Sequence, residues 1–289
     1  RMMNARFDAQ RSFPFRPFIH QSGETQTIGL IYQHWVADSV SIRQLMHAWI
    51  RSMHDPACDL RPIQLPRGGM WHYFAAPSVG WSVVGQLSSL AGFASRMKRM
   101  RRIEGRADSQ EVAVIVRELP AGLILRIRRG ARARGATVGD VFTAAAAEAL
   151  AKHGANTATS RRPGLAMGTI VDTRARARSV SLRIFGLFLG FTMTAFNGPD
   201  AQQFDRLLAR AVKQRKSDAR RHAAEASQLN MAIGYFLAHR MRPHNLLEFY
   251  RKRFPLAGGL SSVNLGSEWS QDLHPAPVAL YHRVSPTGP

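Results

Sequence analysis

Cysteine is nearly missing from this 289-residue chain, which holds only Cys58. That excludes a disulfide framework and any cysteine-rich metal site. Acidic residues are scarce as well: 19 Asp and Glu stand against 40 Lys and Arg, for a formal net charge of +21. No run is long and apolar enough to read as a membrane span. The uncharged stretch Pro77–Ser95 is interrupted by serines, glycines and Gln86, too polar for a hydrocarbon core. No secretory leader opens the sequence as given. No Gly-x-Ser-x-Gly elbow is present, which argues against a serine hydrolase. No glycine-rich phosphate loop of either common spacing occurs.

The positive charge implies an anionic partner: an acidic protein, the phosphates of a cofactor, an anionic membrane surface or nucleic acid. Nucleic acid is the least favoured of these. The basic clusters Arg96–Arg106, Arg126–Arg134, Arg174–Arg183 and Arg206–Arg221 contain no aromatic residue on which a base could stack. An arginine- and alanine-rich composition accounts for the clusters equally well. Pro77–Ser95 followed by Arg96–Arg102 has the pattern of an interfacial segment, and also that of a linker helix packed on the body.

The most informative segment is Gln33-His34-Trp35-Val36-Ala37-Asp38-Ser39. Thr27–Tyr32 before it reads as a short, largely buried strand. After it, Ile42, Leu45, Met46, Trp49, Ile50 and Met53 fall at helical spacing. Asp38, Ser39 and Ser41 are each able to cap that helix. His34 and Asp38 therefore sit on a strand-to-helix turn, where a scaffold can hold a side chain and leave it open to substrate.

Further along, Glu111–Val116 reads as a strand. Ala121–Arg134 reads as a helix closed by Gly135, and Thr137 with Asp140 as the capping-box start of a helix running to about His153. Leu165–Val171 and Leu187–Phe196 read as strands, and Asp200–Arg221 and Leu229–Met241 as helices. Leu260–Leu265 and Val278–Val284 read as late strands. The expected organisation is an N-terminal lobe remnant over residues 1–60, a linker over 61–110 and a C-terminal lobe over 111–289.

The motif resembles the His-His-x-x-x-Asp-Gly signature of the chloramphenicol acetyltransferase-like superfamily. This includes condensation domains, wax ester synthase/diacylglycerol acyltransferases and polyketide-associated acyltransferases. Gln33 stands for the first His and Ser39 for the Gly, with His34 and Asp38 retained. Four further segments resemble the superfamily in the same order: Gly135–Phe142, Val171-Asp172-Thr173-Arg174, Phe185–Gly190 and Ser261–Gly266. The likeness spans roughly residues 13–289, without the plant-type Asp-Phe-Gly-Trp-Gly signature. Family members are longer at both ends, so further residues are expected there.

The resemblance implies an α/β fold of two lobes, with mixed sheets flanked by helices and an active-site tunnel between the lobes. It implies an acyltransferase moving an acyl group from an acyl-CoA or carrier-protein thioester to a hydroxyl or amine. His34 would be the general base, since an imidazole titrates near working pH. Asp38 would orient the turn by pairing with Arg174, for which Arg176 and Arg178 are rivals. Ser261, Ser262 and Asn264 are candidates for substrate and oxyanion contacts, with Trp35 lining the tunnel. No bound cofactor or metal is expected; acyl-CoA or a phosphopantetheinyl carrier would be a co-substrate. An acidic acyl carrier protein is the expected partner and an anionic membrane surface a second. The expected location is the cytoplasm, with or without peripheral membrane attachment. The alternative reading is a non-catalytic, condensation-like module that docks carrier proteins or membranes.

Overall fold

The computed structural model describes residues 13–34, 36–58, 63–65, 97–101, 115–153, 164–174, 184–196, 203–227 and 256–263, with single residues at 7, 92, 95, 162 and 240. The chain is a mixed α/β structure. Strands β1 (Phe15–Ser22) and β2 (Thr25–Tyr32) form an antiparallel hairpin. Helix α1 (Ser39–His54) follows. Helices α2 (Leu123–Ala133) and α3 (Val138–His153) precede β3 (Leu165–Asp172) and β4 (Leu189–Phe196). Helix α4 (Phe204–Arg220) and the short β5 (Gly258–Leu260) complete the described elements.

Strand β1 was not legible in the sequence. Phe15–Ser22 lacks clean alternation, and Pro17 removes a backbone donor, which an edge strand tolerates. The hairpin turns on Gly23, whose φ of +58° suits a residue without Cβ. Helix α1 begins where the periodicity placed it. Its burial fades along its length, from Ile42 at 4% exposure to Met53 at 44%.

The second sheet has the order β4-β3-β5, with β4 antiparallel and β5 parallel to β3. Its two faces separate by strand alternation. Leu165, Met167 and Phe196 pack with Ala144 and Ala147 of α3 and Leu207 and Ala211 of α4. Ala166 and Ala195 point the other way and meet Met97 and Met100. The alanines of α3 let that helix lie close to its neighbours. Met97 and Met100 come from the basic stretch, so part of it is an anchor: Met100 bridges to Gly164, and the Arg101 guanidinium donates to the Arg162 carbonyl at 3.2 Å.

Local signals explain the helix ends. Gly135 has a φ of +62°, and the amides of Gly135 and Ala136 return to the carbonyls of Arg132 and Ala131 at 3.0 and 2.9 Å. That is a Schellman closure. The Thr137 hydroxyl accepts from the Asp140 amide at 3.1 Å, while the Asp140 carboxylate accepts from the Thr137 amide at 2.8 Å. This reciprocal cap opens α3.

Two expected strands differ. Of the strand expected at Glu111–Val116, residues 111–114 lie outside the described residues; Ile115 and Val116 belong to no strand, at 77% and 58% exposure. Apolar runs specify a strand only when a partner strand is in reach, and none lies beside them among the described residues. The strand expected at Leu260–Leu265 instead ends at Leu260 and begins at Gly258. Gly258-Gly259 reads as a turn in sequence. In the fold a Cβ on Gly258 would come within 3.3 Å of Met167, so glycine allows the strands to close up. The segments expected at Val278–Val284 and in most of Leu229–Met241 lie outside the described residues.

Candidate functional site

The turn that carries His34 is fastened at both ends. The Gln33 amide donates to the Pro14 carbonyl at 2.9 Å, which extends the hairpin past Tyr32. The Asp38 amide donates to the Gly186 carbonyl at 3.1 Å, which ties the start of α1 to the segment before β4. Between them the Val36 amide reaches back to Gln33 at 3.1 Å. Asp38 is the N-cap of α1: its Oδ1 accepts from the Ser41 amide at 2.9 Å.

Beneath this turn lies a buried ionic cluster. Arg174, directly after β3, directs its guanidinium at Asp38 in a fork. Nη1 stands 2.7 Å from Oδ2 and Nη2 2.9 Å from Oδ1, with both side chains fully buried. Asp38 Oδ2 also accepts from the Phe188 amide at 2.8 Å. The carboxylate therefore has both oxygens doubly engaged, about its full capacity. Arg174 Nη2 donates further to Ser41 Oγ at 2.7 Å, and Nε to the Ile184 carbonyl at 3.4 Å. The Ser41 hydroxyl joins the network by accepting from the Gly186 amide at 3.0 Å. Asp172 Oδ1 accepts from the Arg174 amide at 3.0 Å and sets where the side chain begins. The Phe188 ring centroid lies 4.8 Å from the guanidinium carbon. One arginine thus holds together the start of α1, the end of β3 and the segment entering β4. Thr173 adds a second tie, its amide and hydroxyl both donating to the Phe188 carbonyl, at 2.8 and 2.7 Å.

His34 sits outside this cluster and is half-buried. Its ring stacks on Tyr32 at a centroid distance of 6.1 Å and an interplanar angle of 25°. No hydrogen bond reaches its imidazole among the described residues. The Tyr32 hydroxyl is buried and likewise unpartnered among them. Burial, with the Asp38 charge adding and Arg43 opposing, pushes the Tyr32 phenol up to about 12. Sequence reasoning passed over Tyr32. The only available signal was an aromatic two residues before His34, which strand alternation puts on the same side.

The remaining candidates separate. Ser261 and Ser262 are exposed and follow β5 directly. Because β5 runs parallel to β3, they leave the sheet at the end where Thr173 and Arg174 leave it. Trp35, Asn264, Arg176 and Arg178 lie outside the described residues. Among the described residues no three His, Cys, Asp or Glu side chains gather as a metal would require. No helix among them is long and apolar enough to cross a membrane. A surface groove of about 490 Å³ opens elsewhere, along α4, lined by Leu208, Val212, Arg134, Lys213, Lys216 and Arg220. It includes none of the residues of the His34 turn.

The chain is similar in structure to the tallysomycin biosynthesis protein TlmII, with a TM-score of 0.51 and 12% identity over 90% of this chain. It is also similar to the nonribosomal peptide synthetase FmoA3, with a TM-score of 0.57 and 16% identity over 82% of this chain. The first condensation domain of the CDA synthetase aligns at 0.47 and 16% over 86%. The chain shares its fold with TlmII and with part of FmoA3. It spans 57% of the TlmII chain, 25% of the FmoA3 chain and 51% of the CDA chain. No protein-family model and no curated relative matches it.

Proposed function

We propose that the chain is an acyltransferase that moves an acyl group from a CoA or carrier-protein thioester to a hydroxyl or amine, with His34 as general base. What supports this reading most is the Asp38–Arg174 pair, which sits under the turn and leaves His34 outside it. A base is useful only when held at a fixed distance from the proton it takes. Here the Asp38 carboxylate beneath the base is engaged at both oxygens, and no hydrogen bond from the described residues takes up the imidazole. The fold shared with TlmII and FmoA3 agrees with the reading.

In the proposed reaction the acceptor hydroxyl or amine attacks the thioester carbonyl while its proton passes to His34. The tetrahedral intermediate collapses, the carbon–sulfur bond breaks, and the thiolate takes the proton from the imidazolium. Asp38 and Arg174 do not touch substrate; they fix the turn. Ser261 and Ser262, leaving the sheet in the same direction as Arg174, are our candidates for contacts to the thioester or acceptor, with Asn264 and Trp35 as further lining. The substrates would meet in a tunnel between two lobes. The basic surface suits an acidic carrier protein or the phosphates of CoA.

The test is a panel of acyl-CoAs and acyl carrier proteins, offered with alcohols and amines, in which thiol release is followed for the parent chain and for His34→Ala. Release that depends on both acceptor and His34 supports the proposal. Absence of release across the panel, with carrier-protein binding retained, favours the non-catalytic docking module.

A further inference from the structure

We propose that Tyr32 is a positioning residue for His34, its ring serving as the wall that sets the orientation of the imidazole. The inference depends on the acyl-transfer reading for what His34 does, and not for how His34 is held.

Three observations converge. The Tyr32 and His34 rings stack at 6.1 Å and 25°, within the offset-stacking range. No hydrogen bond orients the imidazole among the described residues, so this stack is the one directional contact they provide. Tyr32 in turn stands on fixed ground. It is the last residue of β2 and pairs with Phe15 across the hairpin. Phe15 meets Phe185 edge-on at 6.4 Å, and Phe185 belongs to the segment that carries the Ile184 and Gly186 carbonyls around Arg174. Tyr32 also feels the charges of Asp38 and Arg43 at the start of α1. It therefore stands between the His34 ring and the Asp38–Arg174 cluster.

The ring carries the effect, and the hydroxyl does not. The phenol oxygen is buried without a partner among the described residues, and its proton is retained well above neutral pH, so it presents no charge to the imidazole. Tyr32→Phe keeps the wall; Tyr32→Leu removes it while filling part of the space.

The experiment reads the imidazole directly. The full chain is labelled with ¹³C-histidine, and the His34 signal is assigned by its loss in His34→Ala. In the parent protein that signal should show a ring-current displacement from Tyr32; its absence overturns the stack without any further variant. Side-chain relaxation is then compared. The order parameter of the His34 side chain should be the same in the parent and in Tyr32→Phe, and fall clearly in Tyr32→Leu. Tyr32→Met replaces the leucine variant if that one fails to fold. In the acyl-transfer assay, loss of the wall should lower kcat by roughly 10- to 100-fold, as expected of a misplaced catalytic group, with KM little changed. An imidazole that stays ordered in a folded Tyr32→Leu or Tyr32→Met protein overturns the proposal. An imidazole that loosens in a chain without acyl-transfer activity upholds it and removes the reading of the reaction instead.

Discussion

Asp38 and Arg174 are 136 positions apart in the chain and 2.7 Å apart in the fold, both with fully buried side chains. Desolvating two charges is costly, and a fork geometry with every lone pair engaged offsets that cost. The pair holds the end of β3 against the cap of α1, so the turn bearing His34 inherits its position from a residue two places beyond strand β3.

Breaking this pair should therefore damage the fold more than any surface change. Asp38→Ala leaves a guanidinium buried against carbonyls, and Arg174→Ala leaves a carboxylate buried against two amides. Each should cost about 3–5 kcal/mol, because an uncompensated buried charge remains. In a chain of this size that corresponds to a fall in Tm on the order of 10 °C. Calorimetry on both single variants and the double variant tests it. The double variant should be less destabilised than the sum, since one change removes the charge the other strands. Additive losses would mean that the two side chains act independently.

His34 should behave in the opposite manner. It is half-buried and carries no internal hydrogen bond among the described residues, so His34→Ala should leave Tm within about 1 °C. The loss of a general base should lower acyl transfer by about 10²- to 10⁴-fold. Equal activity in parent and variant would take His34 out of the reaction.

How far the sequence carried depends on the range of the signal. The caps at Asp38, Thr137 and Gly135, and the spans of α2, α3, β3 and β4, are local. They follow from spacing and from single residues with special φ or side-chain oxygens. The junction of strand, turn and helix around His34 was legible for the same reason. Arg174 was different: nothing within 130 residues of Asp38 names it, and only the resemblance singled it out from Arg176 and Arg178. Strand β1 escaped because its pattern comes from pairing with β2 rather than from burial, and Pro17 argued against it. Strand β5 escaped because the glycines that permit its close approach also spell a turn. Tyr32 escaped because alternation puts it on the side of His34 without showing that the two rings stack.

The raised phenol of Tyr32 predicts a specific weakness at high pH. Its proton is held to about 12 in the fold, against about 10 in an unfolded chain. Below pH 10 both states keep the proton and the folded state has its full advantage. Between about 10 and 12 the unfolded chain loses the proton first, so stability falls as pH rises. Tyr32→Phe should flatten that part of the alkaline unfolding curve. Near-ultraviolet titration should also lose a phenol step near about 12. An unchanged curve would show that other groups carry the alkaline transition.

Gly190 should tolerate no side chain. A Cβ built there runs into the Ala224 carbonyl group, with the carbonyl carbon at 2.6 Å. Backbone cannot swing aside as a side-chain tip can. Gly190→Ala should therefore cost about 1–3 kcal/mol, the usual range for overpacking, and it pushes on β4 just after Phe188. Chemical denaturation measures the loss. The contrasting case is Gly130, in α2, where a Cβ meets nothing within 4 Å; Gly130→Ala should stabilise by roughly 0.4–1 kcal/mol.

The basic stretch near Met97 divides into anchoring and free charges, and they should respond differently. Lys98 and Arg99 are exposed, whereas Arg101 is half-buried and donates to the Arg162 carbonyl at 3.2 Å. Arg101→Glu replaces that donor with a carboxylate facing a carbonyl oxygen, so it should lower Tm. Reversing Lys98 and Arg99 to Glu should leave Tm unchanged. If the net charge of +21 recruits an anionic donor, the double reversal should raise the apparent KM for an acyl-CoA or an acidic carrier protein at low salt. The effect should shrink as salt rises, because exposed charges are screened over about 8 Å at physiological ionic strength. Turnover should hold, since neither side chain belongs to the His34 turn. Kinetics at two salt concentrations, with liposome binding measured in parallel, separate the cases. If neither KM nor liposome binding moves at low salt, Lys98 and Arg99 only solvate the surface above Met97 and Met100, and recruitment would have to come from another basic surface, such as the groove along α4.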